Sequence, residues 1–171
     1  IPKEGTKQPR RLTHNNWPEV SPDVSPDGNR VAFVSNRVGS PQIYVMDMDG
    51  SNTQRISYVE RKCESPFWSP VPVGGDYRIA FSGYYDNLQS DIYTVRPDGS
   101  DLQMLTDGKF ENLNPTWSPD GQYIAFSSNR LGKHEIFIMP STPNRLLPDG
   151  KKYYRVTSNP GENICPSWSP N

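Results

Sequence analysis

The chain has 171 residues, a net charge of −1 and a pI near 6.1; that is the length of one ordinary domain, without the strong field that attracts nucleic acid or anionic lipid. Leu, Ile, Val and Phe make up about a fifth of it, near the level of disordered chains, but the low net charge and an aromatic share of 11% argue for a folded chain. Eighteen Pro and thirteen Gly point to many short strands joined by many turns, and no apolar run approaches the roughly 20 residues of a membrane-spanning helix.

Ile1 to Arg10 is polar and Pro-containing and is expected to be an extended arm. Residue 1 is Ile and this stretch carries no signal peptide, so the chain is expected to be processed, cut from something longer or incompletely known. Residues 11–171 carry a repeat. Arg11-Leu12-Thr13 is expected to be a short outer strand, with counterparts at Arg55-Ile56-Ser57, Met104-Leu105-Thr106 and Arg155-Val156-Thr157. A Trp-Ser-Pro unit follows each, at Val24 (in place of Trp), Trp68, Trp117 and Trp168, with Pro22, Pro66, Pro115 and Pro166 two residues ahead. Ser118-Pro119-Asp120-Gly121 is a turn with a mechanism: Pro presets φ, Asp bonds backbone, Gly accepts φ > 0. The second strand is Val31-Ala32-Phe33, Ile79-Ala80-Phe81 and Ile124-Ala125-Phe126, and the third Ile43-Tyr44-Val45, Ile92-Tyr93-Thr94 and Ile136-Phe137-Ile138. Asp-Gly turns close each unit, the last delayed by an insertion around Ser141 to Leu147.

The repeats therefore run over about 14–57, 58–106 and 107–157, with the start of a fourth at 158–171. Positions 24, 68, 117 and 168 stand 44, 49 and 51 residues apart. Four short strands at that period signal an all-β fold, a β-propeller of four-stranded antiparallel blades. Both faces of a blade pack on neighbouring blades, so the middle strands must be apolar on both sides, as Ile-Ala-Phe and Ile-Phe-Ile are. Trp117 is expected to fill the wedge between two blades. Three full units with flanking strands make an incomplete ring, since closure takes roughly four to eight blades. The expectation is a fragment of a longer propeller or a half-ring completed by another chain, with Phe33, Tyr44, Phe126 and Phe137 partly uncovered on the terminal faces.

The run R-L-T, P-x-W-S-P-D-G, I-A-F-x-S-x-R, I-Y-x-M and D-G resembles the WD-like repeats of TolB-type propellers over residues 11–170. The resemblance implies a binding or scaffolding module outside the cytoplasm, in the periplasm or extracellular space of a bacterial envelope. It implies protein partners: other subunits or the rest of a longer propeller, with a membrane-associated protein among the possibilities. Similar repeats also occur in the substrate-gating propellers of prolyl-oligopeptidase-like serine peptidases, which is the rival reading.

Nothing in the residues argues for catalysis. His14 and His134 lie in different classes of loop with no Cys or carboxylate at metal spacing, and no G-x-S-x-G elbow occurs. No cofactor and no metal are expected, and Cys63 and Cys165 are expected to be thiols. Asn36-Arg37 and Asn129-Arg130 are expected to use the Asn on their own turns and the Arg on a carboxylate of an adjacent blade. The residues that vary between repeats lie in the links from outer strand to next inner strand: His14 to Glu19, Tyr58 to Glu64, Asp107 to Asn114 and Ser158 to Asn163. Variable loops on one face of a constant scaffold are what a presenting surface looks like. Its partner-binding residues are expected to be His14, Asn16, Trp17, Tyr58, Arg61, Phe110, Glu111, Asn112, Glu162 and Asn163 around the channel mouth, because aromatic rings and Arg anchor interfaces.

Overall fold

The computed structural model describes residues 9–58, 61–86 and 88–169. Most of the expected arm, residues 1–8, therefore lies outside the described residues, as do Val59 and Glu60 of one expected loop and Pro170 of the last Trp-Ser-Pro unit. Twelve strands run in chain order: β1 Glu19–Val24, β2 Arg30–Ser35, β3 Gln42–Asp47, β4 Gln54–Arg55, β5 Lys62–Trp68, β6 Ile79–Tyr84, β7 Ser90–Val95, β8 Gln103–Met104, β9 Asn112–Trp117, β10 Tyr123–Ser128, β11 Glu135–Pro140 and β12 Tyr154–Arg155. They form three antiparallel sheets in the order β1-β2-β3-β4, β5-β6-β7-β8 and β9-β10-β11-β12. These are three propeller blades in an open arc.

The blades pack face to face. Between blades 1 and 2 the core joins Val34, Ile43 and Ile56 to Trp68, Phe81 and Tyr93. Between blades 2 and 3 it joins Ala80, Ile92 and Leu105 to Trp117, Phe126 and Phe137. Two hydrogen-bond devices recur and explain the repeated residue types. The Trp indole N–H donates to a backbone carbonyl of the preceding blade's inner strand: Trp68 to Asp23 at 3.1 Å, Trp117 to Phe67 at 3.0 Å and Trp168 to Thr116 at 3.1 Å. A buried indole finds a partner in this way while its rings fill the wedge. The outer-strand hydroxyl accepts the first N–H of the third strand's apolar run, Ile43 to Ser57, Ile92 to Thr106 and Ile136 to Thr157. It donates in turn to Gln42, Asp91 or Glu135. Gln42, Asp91 and Glu135, all buried, each gain a partner in this way.

The inner strands are longer than the expected run from Pro115 to Ser118, and each carries a bulge between Val20 and Asp23, between Glu64 and Phe67, or opposite Ala125–Ser127. At each bulge a residue before Pro adopts a left-handed φ: Ser21 at 52°, Ser65 at 55° and Asn114 at 53°. Cys165, before Pro166, repeats this at 54°. Pro lacks a donor and fits where a bulge interrupts pairing.

Four expectations are corrected. Arg11-Leu12-Thr13 is not a strand, because no third strand of its own blade lies beside it among the described residues; Leu12 instead packs against Val31, Phe33, Tyr44 and Met46. The run near Trp168 likewise forms no strand among the described residues, although its indole is seated. Phe33 and Tyr44 are buried beneath Leu12 and Arg37, and Phe126 and Phe137 face blade 2. The apolar residues left on blade 3's far side are the half-buried Ile136 and Ile138 and the exposed Val156, with Trp168 lying over them. Finally, Arg37 pairs within its own blade, 2.6 Å from Glu19, and Arg130 donates to Asn112 while stacking over Tyr153 and Phe137. Asn129 does not bond its own turn with its side chain; it accepts from the Glu111 N–H at 3.0 Å.

Candidate functional site: the loop face and its cleft

The links between blades and the turns between second and third strands share one end of the arc. Backbone bonds tie them together: Asn36 N to Pro18 O, Cys63 N to Pro41 O, Ser90 N to Phe110 O, Asn129 N to Glu111 O and Asn163 N to His134 O. The other end carries the polar Asp-Gly turns, whose Asp side chains cap their own loops, as Asp49 does for Ser51 and Asp98 for Ser100. Hydrogen bonds from Ser51 and Ser100 hold those two carboxyls below the usual carboxylate range.

On the loop face, His14 and Asn16 are exposed beside Trp17, which is 54% exposed. The Asn15 side chain accepts the Trp17 N–H and so fixes that loop. Tyr58 is 68% exposed, with the Arg55 guanidinium 4.7 Å from its ring. These two exposed aromatics belong to the links that border blade 1, apart from the charged group described next.

Between blades 2 and 3 the face opens into a cleft of about 490 Å³ lined by Arg61, Lys62, Tyr84, Asp86 and Glu111. The Lys62 ammonium lies 4.3 Å over the Tyr84 ring and 3.1 Å from Glu64. Burial first, then the charges of Glu64 and Glu111, push the Tyr84 phenol above its ordinary range, so it stays protonated. Glu111 reaches from this cleft to His134, whose Nε2 is 3.1 Å from its Oε2. On the other side of the ring, His134 Nδ1 is 3.2 Å from Glu162 Oε2, which also accepts the His134 backbone N–H at 2.8 Å.

The expected residues thus divide. Arg61 and Glu111 share the cleft, and Glu111 and Glu162 meet at His134. Phe110 is half-buried with the Arg130 guanidinium 5.7 Å from its ring, so it is mostly committed inside the protein. Asn112 is fully buried and bonds Ser90 O and Phe110 O; it belongs to strand β9 and offers no surface to a partner. Asn163 is half-buried, donating to Asn159 and Glu135. Asn112 was misplaced because the inner strand starts three residues earlier than its apolar part shows.

The bulges form a second feature, which the expected channel-mouth residues do not include. The bulges Ser21–Asp23 and Ser65–Phe67, with Asn114 and Cys165–Pro166, surround a pocket of about 340 Å³. Asp23 faces it; burial pushes its carboxyl above the usual range although it accepts the Trp68 N–H at 2.7 Å. The signal was present in the sequence: a small or polar residue before each Pro of the Pro-x-Trp unit. Cys63 is buried, Cys165 is exposed, and no disulfide joins them.

The TolB beta propeller domain family (PD40) matches residues 3–77. The chain is 38% identical over 131 residues to the Protein TolB homolog of Chlorobium luteolum, covering 75% of this chain and 28% of that protein. It is 39% identical over 93 residues to the Tol-Pal system protein TolB of Desulfosudis oleivorans, covering 54% and 19%. The chain therefore spans under a third of the length of these two relatives. Among solved structures, TolB from Acinetobacter baumannii superposes with a TM-score of 0.72 over 92% of this chain and 37% of that one, at 23% identity, a likeness of fold. The repeat motifs, the three four-stranded blades and these similarities agree: the chain is a TolB-type β-propeller repeat protein, with three full repeats and partial ones.

Proposed function

We propose that this chain is a protein-docking module of a bacterial envelope complex, binding rather than catalysing. The observation that carries this reading is the display of two large exposed aromatic rings, Trp17 and Tyr58, on one face of the arc. An exposed ring that is fixed in place is a ready anchor. The similarity to TolB relatives, one of them named for the Tol-Pal system, supports an envelope setting with protein partners. His14 and Asn16 would flank the anchors as polar neighbours, and Arg61, Glu111 and Glu162 would offer a second, charged contact area on the same face. Further blades, from the same polypeptide or from another subunit, would cover the far side of blade 3, where Ile136, Ile138 and Val156 remain only partly covered.

The experiment is a pair of substitutions read in the native envelope. Trp17→Ala with Tyr58→Ala should cut co-purification of the module's partners at least tenfold, the scale of one lost anchor. Asp98→Ala with Asp149→Ala, on the opposite face, should leave it unchanged. Equal losses from both pairs would contradict the reading. A peptidase activity that co-purifies with the whole protein would favour the gating-propeller alternative.

A further inference from the structure

We propose that the cleft between blades 2 and 3 receives a segment of the docking partner in which a basic and an acidic side chain stand next to each other, the acid taken by Arg61 and the base by Glu111. The cleft is about 490 Å³, within the range of built ligand sites.

It opens where blade 2 departs from the repeat. In blade 3 the turn after the second strand is tied to the incoming link by Asn129, whose N–H donates to Glu111 O and whose Oδ1 accepts the Glu111 N–H. Tyr84 holds that position in blade 2 and pairs with Lys62 as the last rung between β5 and β6. The blade 2 turn is also one residue longer. Phe81 and Ile92 stand 11 positions apart, against 10 for Phe33 and Ile43 and for Phe126 and Ile136. Asp86 shapes this longer turn by accepting the Leu88 and Gln89 N–H groups. Across the cleft, a parallel bridge to Ser90 fixes Glu111 in the next link.

Some charges in the cleft are matched within the protein and two are not. Lys62 lies 3.1 Å from Glu64 and 4.3 Å over the Tyr84 ring. Asp86 commits one carboxylate oxygen to its own turn. The exposed Arg61 guanidinium has no acceptor among the described residues. The Glu111 side chain is 23% exposed, and no donor among the described residues bonds its carboxylate; His134 Nε2 is 3.1 Å away but makes no hydrogen bond. A carboxylate partly withdrawn from water without a donor gains from a cation that a ligand brings. A uniformly acidic segment would set a second carboxylate against Glu111, and a uniformly basic one a second cation against Arg61. The two unmatched groups therefore select a mixed pair. Leu88, in the same turn as Asp86, is 76% exposed. A small molecule in the cleft would leave it bare, whereas the surface of a protein partner would cover it.

The proposal rests on the docking reading, because the cleft lies on the face assigned to partners. Saturation-transfer NMR on the whole protein measures binding of acetyl-Gly-Lys-Glu-Gly-amide and of its Glu-Glu and Lys-Lys counterparts. The mixed peptide should bind about fivefold tighter than either counterpart, the scale of one exposed ion pair. Arg61→Gln should abolish the preference over the Lys-Lys peptide and keep the preference over the Glu-Glu peptide. Glu111→Gln should do the reverse. That crossed pattern is one that mere damage to the cleft would not give, since damage erases both preferences together. Loss of both preferences in each variant, equal binding of the three peptides, or no binding of the mixed one would overturn the proposal. Competition by glycylglycine as strong as the mixed peptide's own binding would also overturn it, in favour of a free small zwitterion. Co-purification through Trp17 and Tyr58 judges the docking reading separately, so either can fail without the other.

Discussion

Trp117 and Trp17 are the same residue type in opposite situations. Trp117 is 5% exposed, fills the wedge between blades 2 and 3 and donates its indole N–H to Phe67 O. Its replacement by Ala should cost about 3–5 kcal/mol, the range for large core aromatics. Trp17→Ala should cost under about 1 kcal/mol, since the ring touches little that is buried. Denaturant unfolding of both variants checks this, and comparable losses would mean the two rings have been assigned wrongly. A second pair tests where Leu12 lies. Gly50 and Gly150 occupy the same turn position, both with left-handed φ, at 90° and 78°. A Cβ on Gly150 meets nothing, whereas one on Gly50 runs into the Leu12 carbonyl. Gly150→Ala should cost about 1–2 kcal/mol for the backbone conformation alone, and Gly50→Ala about 1–3 kcal/mol more. Equal costs in thermal unfolding would place Leu12 elsewhere.

The blade is an element whose polar parts are as repetitive as its apolar ones. Glu135 is fully buried and accepts from Thr157, Lys133 and Arg155, with the Thr157 bond the largest influence; its carboxyl is pulled down to about 2. A carboxyl lowered on folding stabilises above its unfolded value of about 4.3, and that contribution is lost as pH falls from there through about 2. Unfolding measured between pH 5 and pH 2 should therefore show a falling stability that Glu135→Gln flattens. An unchanged slope would remove Glu135 from the acid response. Much of the element was legible in the sequence. The second and third strands declare themselves because both faces are buried, which forces the continuous Ile-Ala-Phe and Ile-Phe-Ile runs. The Pro of each unit marks where the bulge falls, but the left-handed conformation before it was not legible, because Ser and Cys before Pro run against their local preferences and only Asn114 suits it. The meeting of Glu111, His134 and Glu162 was not legible either. Those residues come from three separate loops, and only the packing of one blade's links against the next brings them together.

The whole molecule is an arc with two unlike flat ends and two unlike faces. One end is closed by Leu12 over Phe33 and Tyr44; the other leaves Val156 51% exposed beside Ile136 and Ile138. Burying apolar surface gains roughly 25 cal/mol per Å², so that second end is the surface through which the isolated chain should associate. Light scattering at micromolar concentration should show species larger than one chain, reduced by Ile136→Ser with Val156→Ser. A monodisperse single chain would mean that Trp168 and its neighbours already suffice as a cap. The unlike faces carry the central claim, that partners dock on the loops and not on the Asp-Gly turns. Photo-crosslinking residues placed one at a time at Trp17, Tyr58 and Arg61 on the loop face, and at Asp49, Asp98 and Asp149 on the other, test it most directly in the native envelope. Protein adducts of one common partner are expected from the first three positions and none from the second three. Adducts spread evenly over both faces, or confined to the Asp-Gly turns, would contradict it.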